Sequence, residues 1–313
     1  MARFNSRSTA EEVSEGIDLA GRYAIVTGAN TGLGLETARV LSRRGCHVTM
    51  ACRDLEKANR ARDQILAGGE GSPAAERLDV MHLDLAWLES VRSFAGEYLA
   101  TDRPLHLLIN NGGVMLPDRR ETRDGFEAHL GINHLGHFLL TNLLLERLRA
   151  SAPARVVVLS SDAMFMSGLT AELTDLNWET RKYSGWRAYG SSKLMNLLFS
   201  NELNRRESGA GVVSNALHPG IVGTELARDQ PWYMMLIGLI TWPISKSIEA
   251  GAATTVYLAT APEFSDHGGL YYSNCAPARI PKLAPDRDTQ ARLWEISEEF
   301  VGRGVTEGHG SIR

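Results

Sequence analysis

The sequence has few cysteines and no long basic run, and each shortage excludes a class of protein. The three cysteines, Cys46, Cys52 and Cys275, are odd in number and form no C-x-x-C pair, so neither a disulfide framework nor a cysteine zinc site is predicted. Thirty-three basic residues against thirty-seven acidic ones give a net charge of −4, without a basic patch suited to nucleic acid. We expect a cytoplasmic protein in a reducing environment with no nucleic-acid partner.

The N-terminal region also lacks a long apolar run. Residues 1–20 have no apolar core, so we expect neither a secretory signal nor a membrane-spanning helix there, and Ser8 with Glu11 fits a short capped helix. Because 43% of the 313 residues are hydrophobic, the chain can bury the core of one ordinary domain. We predict an N-terminal extension over 1–20, one domain over 21–303 and a C-terminal tail over 304–313.

Short strand-like apolar runs alternate with helical patterns along the chain. This alternation is typical of a parallel sheet covered by helices on both faces, which binds its ligand at the carboxyl ends of the strands. We predict an α/β fold, a single doubly wound Rossmann-type domain with a parallel sheet of about seven strands. The runs that support it are 23–27, 46–51, 78–85, 105–110, 155–161, 211–219 and 268–273.

Three glycines separate the first predicted strand from the helix that follows it. Gly28, Gly32 and Gly34 lie in TGANTGLG, where glycine allows φ > 0 and lets a ligand approach the backbone. The free N–H groups and the dipole at the start of the helix favour a phosphate. The loop therefore predicts a pyrophosphate site, and a plain βα turn is the alternative that this loop alone leaves open.

The end of the second predicted strand bears on which dinucleotide would bind. A site that prefers NAD usually places a carboxylate here to bind the ribose 2′-hydroxyl, but this chain has Cys52 followed by Arg53. A guanidinium can hold a 2′-phosphate with two hydrogen bonds, so Arg53 indicates NADP. In the alternative interpretation, Arg53 is a solvated residue paired with Asp54.

The strongest chemical signal is a tyrosine four residues before a lysine. Tyr189 and Lys193 lie in AYGSSKLMN, within a helical pattern that places both side chains on one face. A phenol with a pKa of about 10 is a poor acid–base catalyst at neutral pH, and a nearby ammonium lowers that pKa. The spacing alone is common by chance, and its position after five βα units makes it informative.

Six motifs follow one another along the chain: TGANTGLG (27–34), NNGG (110–113), GINHLGHF (131–138), VVVLSS (156–161), YGSSK (189–193) and HPGIVGT (218–224). Together they resemble the short-chain dehydrogenase/reductase family over nearly the whole chain. MACRDLEKA and NALHPGIVGTEL look most like its retinol dehydrogenase branch, and NHLGHFLLT is also similar to light-dependent protochlorophyllide reductases. NNGG departs from the family's N-N-A-G, so Gly112 lacks a methyl group and we expect a slightly looser loop.

The resemblance implies a catalytic tetrad of Asn133, Ser161, Tyr189 and Lys193. Tyr189 would protonate the carbonyl oxygen during reduction, and Lys193 would lower its pKa and hold the nicotinamide ribose. Ser161 would donate a hydrogen bond to the substrate oxygen, and Asn133 would hold a water that links Lys193 to solvent. Strand alternation and the family pattern favour Ser161 over Ser160. Hydride would pass directly from the nicotinamide ring to the carbonyl carbon.

The resemblance also implies which residues would contact NADP(H). Asp84 would contact the adenine amino group. Asn110 and Gly112 would line the adenosine ribose, whereas Gly220 and Thr224 would meet the nicotinamide side. The implied contacts are Gly28, Asn30, Thr31, Gly32, Leu33, Gly34, Arg53, Asp84, Leu85, Asn110, Asn111, Gly112, Tyr189, Lys193, Pro219, Gly220, Val222 and Thr224.

Three histidines, His129, His134 and His137, raise the question of a metal site. No carboxylate or cysteine in the sequence completes an obvious ligand set with them, and the implied tetrad uses no histidine. We therefore predict no metal and assign these side chains to helix packing or surface hydrogen bonding.

Two segments bear on the substrate. The region between Ser161 and Tyr189 is longer than in compact members of the family. It carries AMFM (163–166), Trp178, Tyr183 and Trp186. A second apolar stretch, 231–244, is too short to span a bilayer, and we interpret it as part of a substrate lid over 231–246. The alternatives are a homodimer interface, ordinary core packing and shallow membrane contact.

The predicted function is an NADP(H)-dependent oxidoreductase that interconverts a carbonyl and an alcohol on a lipophilic substrate, such as a retinoid, steroid, polyketide or long-chain aldehyde or ketone. Tyr189 is its expected acid–base group. One alternative is an NADPH-dependent reductase of a C=C bond in an enone or protochlorophyllide-like substrate. The other is a non-catalytic dinucleotide-binding scaffold, which the presence of all four tetrad residue types disfavours.

Overall fold

A central, mostly parallel β-sheet organises the protein. The computed structural model describes residues 4–67, 77–222 and 245–303. Within these ranges eight strands form one sheet in the order β3-β2-β1-β4-β5-β6-β7-β8, and only the β7–β8 pair is antiparallel. The strands are β1 (Tyr23–Thr27), β2 (His47–Cys52), β3 (Leu78–His82), β4 (Leu107–Asn110), β5 (Ala154–Leu159), β6 (Val212–His218), β7 (Tyr271–Ser273) and β8 (Ala276–Pro277). The predicted doubly wound α/β fold is confirmed.

Helices cover both faces of the sheet. Helices α1, α2, α3 and α8 bury their apolar residues against one face, and α4, α5, α7 and α9 pack on the other. The helices are α1 (Ala10–Val13), α2 (Gly32–Arg43), α3 (Leu55–Ala67), α4 (Leu88–Ala100), α5 (Gly136–Leu143), α6 (Leu145–Ala150), α7 (Gly185–Glu207), α8 (Ile248–Thr260) and α9 (Arg287–Arg303), with a π-helix over His129–Leu135 directly before α5. None of the described helices is both long and apolar enough to cross a membrane.

The sheet reverses its winding direction between β1 and β4. Strand β1 pairs with β2 on one side and with β4 on the other, so the loops after β1 and β4 leave the sheet in opposite directions. Ligands of doubly wound sheets bind in the crevice that forms at such a point. The architecture therefore places the glycine loop after β1 and the NNGG loop after β4 on the two sides of one crevice.

The N-terminal region packs against the domain through α1. Thr9 caps this helix, with its hydroxyl accepting from the N–H of Glu12 and the Glu12 carboxylate accepting from the N–H of Thr9. The predicted cap at Ser8 and Glu11 was wrong by one residue, because the Ser8 hydroxyl instead accepts from the N–H of Asn5 at 3.1 Å.

Glu11 and Val13 attach α1 to its neighbours. The Glu11 carboxylate pairs with three arginines at 2.9 to 3.1 Å, and Val13 is buried against the core shared by α2 and α8. The arginines are Arg39, Arg43 and Arg44.

We expect Val13→Ala to lower the free energy of unfolding by about 2 kcal/mol, since it removes two buried methylene equivalents from this contact. Glu15→Ala is the matched control because Glu15 is exposed on the following turn, and its effect should stay within about 0.5 kcal/mol. Urea denaturation of the three proteins gives the comparison. Equal stability of Val13→Ala and wild type would show that α1 contributes nothing to the core.

Candidate active site

A crevice opens at the carboxyl ends of the central strands. One part, of about 360 Å³, runs from the glycine loop to Tyr189 and Lys193, and an adjoining part of about 370 Å³ lies over the ends of β2 and β3. The first part is lined by Gly28, Asn30, Thr31, Gly32, Leu33, Gly34, Arg53, Asn111, Gly112, Gly113, Val114, Met115, Leu116, Leu159, Ser160, Tyr189, Lys193 and Pro219. Most of the site residues predicted from the sequence therefore meet in one place.

The glycine loop has the backbone geometry of a ligand cradle. Gly28 and Gly32 have φ values of +64° and +54°. Residues with a side chain rarely adopt such positive φ values, whereas glycine adopts them readily. Gly34 lies in the first turn of α2, where an added Cβ would overlap the carbonyl oxygen of Gly28. This contact lets α2 begin directly against β1, so its first N–H groups and its positive dipole end point into the crevice.

Thr27 joins the glycine loop to the NNGG loop. Its Oγ1 accepts hydrogen bonds from the N–H groups of Asn111 at 2.9 Å and Gly112 at 2.8 Å, and Asn111 Nδ2 donates to the Thr27 carbonyl at 2.8 Å. A Cβ on Gly112 would lie 3.0 Å from Leu85 Cδ1 and 3.3 Å from Thr27 Oγ1. Glycine at this position therefore avoids a close contact, and the three hydrogen bonds hold the loop that its missing methyl group was expected to loosen.

The second part of the crevice contains several of the residues predicted to contact the cofactor. It is lined by Cys52, Arg53, Asp84 and Leu85 among others. Arg53 is exposed and lines both parts, while Asp54 forms its ion pair with Lys57 at 3.2 Å. Arg53 therefore faces the crevice with its guanidinium available to a ligand. Cys52 is buried, and burial raises the pKa of its thiol to about 11, so this position carries no negative charge at neutral pH.

Asn133 lies within the π-helix and fixes the segment after β4. Its Oδ1 accepts from the N–H of Val114 at 2.8 Å, and its Nδ2 donates to the Val114 carbonyl at 3.0 Å and to Ser192 Oγ at 3.0 Å. Gly113 lies beside it, since an added Cβ there would be 3.0 Å from Asn133 Oδ1 and 3.6 Å from Lys193 Nζ. Helices with π geometry are frequent at functional sites, and this one brings Asn133 next to Lys193.

Tyr189 and Lys193 share one face of α7, as their spacing predicts. Lys193 Nζ lies 5.6 Å from the centre of the Tyr189 ring and donates to the carbonyl of Leu159 at 3.1 Å. Burial lowers the pKa of Lys193 to about 8, because the low-dielectric interior disfavours its charge. Burial also raises the pKa of Tyr189, and the hydrogen bond with Ser161 opposes that shift.

The electrostatics of Tyr189 differ from the sequence-based expectation. We expected Lys193 to lower the pKa of the phenol, but in the protein chain alone burial outweighs any such effect and the pKa is raised. The phenol is therefore protonated at neutral pH, which is the state that a proton donor needs.

The two neighbouring serines have different partners. Ser160 is buried, and its Oγ donates to the Lys193 carbonyl at 2.6 Å, so this hydroxyl is already used although Ser160 contributes to the crevice wall. Ser161 is half-buried, contacts Tyr189, and accepts from the N–H of Ala163 at 3.2 Å. The Ser161 hydroxyl therefore lies beside the phenol of Tyr189.

Three predicted cofactor contacts, Asn110, Gly220 and Val222, do not line the crevice. Asn110 is fully buried and its Nδ2 donates to Thr141 Oγ1 at 3.0 Å, so its side chain points away from the crevice that we expected it to line. Gly220, with φ +94°, lies against Lys246, and Val222 packs near Gly251. Thr224 and residues 231–244 of the predicted lid over 231–246 lie outside the described residues.

The three histidines are buried hydrogen-bonding residues. Burial lowers the pKa of His134 to about 4 and that of His137 to about 3, so both are neutral. His137 Nε2 lies 2.9 Å from Thr27 Oγ1, a contact that the sequence reasoning missed although Thr27 begins the first motif. Within residues 4–67, 77–222 and 245–303 no three histidine, cysteine, aspartate or glutamate side chains form a group able to hold a metal.

Comparison with known proteins identifies the family. A model of the short chain dehydrogenase family matches residues 22–172. Retinol dehydrogenase 12 from Mus musculus is 44% identical over 286 residues, which cover 91% of this chain and 88% of that protein. The chain belongs to the short-chain dehydrogenase family. The predicted similarity to the retinol dehydrogenase branch is thereby confirmed.

Solved structures of the family share the fold. An uncharacterised protein from Mycobacterium paratuberculosis is 37% identical with a TM-score of 0.74, over 95% of this chain and 98% of that chain. A structure described as an NAD(P)-dependent gluconate 5-dehydrogenase from Beutenbergia cavernae, with bound NADP, is 26% identical with a TM-score of 0.64, over 81% and 95% of the two chains.

The contacts of Tyr189 predict how turnover responds to mutation. If Tyr189 is the predicted acid–base group, Tyr189→Phe should abolish turnover while leaving NADPH affinity within about twofold, because it removes only the phenol hydroxyl. Ser161→Ala should reduce kcat by about a hundredfold. Ser160→Ala should reduce kcat by about tenfold or less, because the Ser160 hydroxyl bonds to the backbone carbonyl of Lys193. Steady-state rates together with NADPH fluorescence titration distinguish these effects. Near-normal turnover of Tyr189→Phe, or the reverse ranking of the serines, contradicts the assignment.

Proposed function

We propose that the protein is an NADP(H)-dependent oxidoreductase that interconverts a carbonyl and an alcohol on a lipophilic substrate. The observation that carries this proposal is the position of Tyr189, in contact with Ser161 and 5.6 Å from Lys193 Nζ, at the end of a crevice that begins at the glycine loop. A dinucleotide in that crevice would bring its reactive ring to the phenol.

The crevice fits a dinucleotide by its shape and its donors. The positive φ values of Gly28 and Gly32 and the start of α2 suit a pyrophosphate, and the adjoining volume over β2 and β3 suits an adenosine. Arg53 would hold a 2′-phosphate where Cys52 replaces the carboxylate of NAD sites. The bacterial structure with bound NADP supports the same choice of cofactor.

The residues of this chain then supply positioning and the proton. When bound, the nicotinamide supplies or accepts the hydride. Ser161 would donate a hydrogen bond to the carbonyl oxygen, and Tyr189 would protonate that oxygen as it gains negative charge. Lys193 would stabilise the phenolate that remains, and Asn133 holds the neighbouring segment in place. In the oxidation direction the same groups would act in reverse.

The wall beside Tyr189 favours an apolar substrate. It is formed by Val114, Met115, Leu116 and Leu159, whose side chains carry no charge or strong hydrogen-bonding group. The name of the mouse relative gives retinol as its substrate, and we extend that class of lipophilic alcohol to this chain.

The proposal is tested with NADPH and a panel of aldehydes and ketones of increasing apolar size, alongside matched enones. We expect oxidation of NADPH by the bulky apolar carbonyls, with kcat/KM rising with apolar area, and no reaction in a Tyr189→Phe blank. Consumption of enones without turnover of carbonyls would favour reduction of a C=C bond. Absence of turnover across the panel in both directions would contradict the proposal.

Cofactor preference is tested separately at Arg53. Arg53→Ala should lower kcat/KM for NADPH by about ten- to a hundredfold, because a charge-assisted hydrogen bond contributes about 1.5–3 kcal/mol. The same substitution should change kcat/KM for NADH by less than about twofold, because NADH has no 2′-phosphate. Arg60→Ala is the control, since Arg60 is an exposed arginine of α3 that pairs with Glu56. A wild type that prefers NADH, or an Arg53→Ala variant that loses both cofactors equally, would contradict the NADP assignment.

A further inference from the structure

The segment after β4 is held by the π-helix at two points. Val114 exchanges two hydrogen bonds with the side chain of Asn133, and two residues later the N–H of Leu116 donates to His129 Nε2 at 2.9 Å. Val114, Met115 and Leu116 line the crevice beside Tyr189. His129 therefore anchors the far end of a wall whose near end is anchored by Asn133.

A buried carboxylate fixes the orientation of His129. Glu127 and His129 are 1% and 0% exposed, and Glu127 Oε1 lies 2.8 Å from His129 Nδ1. Because a carboxylate only accepts, Nδ1 carries the hydrogen and Nε2 presents a lone pair to Leu116. Burial alone would raise the pKa of Glu127, but hydrogen bonds from His129 and from the N–H of Leu130 outweigh it and the pKa is lowered.

The long segment between Ser161 and α7 completes this arrangement. The Tyr183 hydroxyl donates to Glu127 Oε1 at 3.0 Å, and Asn177 Oδ1 accepts from the N–H of Glu127 at 2.6 Å. Trp178 is buried and packs edge-on against Tyr183, with ring centres 5.4 Å apart. Part of the added segment therefore encloses the Glu127–His129 pair and leaves it no contact with water.

The other side of the wall touches the helix that carries Tyr189. Gly185 begins α7, and a Cβ there would overlap the carbonyl oxygen of Leu116 and approach that of Pro117 at 2.6 Å. The His129 ring also meets the Tyr189 ring edge-on at 5.9 Å. Leu116 is thus confined between His129 and α7, so its position and that of Tyr189 depend on each other.

We propose that Glu127 and His129 are positioning residues that set the size selectivity of the substrate pocket by fixing the Met115–Leu116 wall. This inference rests on the proposed function, since it requires the substrate to bind beside Tyr189. Without the acceptor on His129, the Leu116 N–H loses its buried partner and the wall adopts its binding position only part of the time. The apparent dissociation constant of the substrate then equals the intrinsic one divided by the fraction of time that the wall is in place.

Two substitutions separate the two hydrogen bonds of His129. Glutamine places its amide oxygen near the former Nε2 and keeps an acceptor for Leu116, whereas asparagine places its amide nitrogen near the former Nδ1 and keeps only the bond to Glu127. For a bulky apolar carbonyl, we expect His129→Asn to raise KM about tenfold with kcat within about threefold, and His129→Gln to raise KM by no more than about threefold. NADPH affinity should be unchanged in both.

Tyr183→Phe provides a milder variant that retains the ring packing. It removes one hydrogen bond to Glu127, and we expect KM for the bulky carbonyl to rise about threefold while KM for a small aldehyde stays the same. If the His129 variants fail to fold, the KM values of Tyr183→Phe test whether the Glu127–His129 pair sets size selectivity. Equal KM changes for small and bulky substrates, or the same KM in His129→Asn as in wild type, would overturn the inference.

Hydrogen exchange gives a readout that needs no turnover. The amide of Leu116 should exchange at least about tenfold faster in His129→Asn than in wild type or His129→Gln, while amides in β1 and β4 stay protected. If the Leu116 amide exchanges faster in His129→Asn but the wild type turns over no carbonyl, the anchoring of the wall is supported and the proposed function is refuted. Unchanged exchange at Leu116 in His129→Asn would refute the inference itself.

Discussion

The contact between the loops after β1 and β4 is the constraint on which the site depends. These strands are neighbours in the sheet, but the chain leaves them in opposite directions, so a ligand crevice opens between their loops. The Thr27 hydroxyl closes the base of that crevice by accepting from two N–H groups of the NNGG loop. Gly28 and Gly112 allow the approach, since an added Cβ on Gly28 would lie 3.0 Å from Gly112 Cα.

The buried polar groups around α7 lower the stability of the protein, but the site needs them. Burying the ammonium of Lys193 is unfavourable, and the hydrogen bond to the Leu159 carbonyl compensates only in part, as the lowered pKa of Lys193 shows. The same helix buries Ser192 and Asn196, each of which is hydrogen-bonded. Such an arrangement stabilises one geometry of the side chains at the expense of total stability.

Buried histidines act as fixed hydrogen-bonding elements in this protein. His137 lies between Thr27 and the carbonyl of Asn133, and His129 lies between Glu127 and the N–H of Leu116. Each ring joins a segment of the crevice to the helical layer behind it. His129 and Asn133 both lie in the π-helix, and their side chains bond to Leu116 and Val114, which are alternate residues of the segment after β4.

The sequence by itself determined the features that depend on local spacing. Strand and helix periods predicted the doubly wound sheet, and the four-residue interval placed Tyr189 and Lys193 on one face of α7. Only the tertiary structure decided that Asn110 points away from the crevice, that burial raises the pKa of Tyr189, and that His129 anchors Leu116. Periodicity specifies which residues share a face, whereas burial and hydrogen-bond partners arise from segments far apart in the chain that only packing brings together.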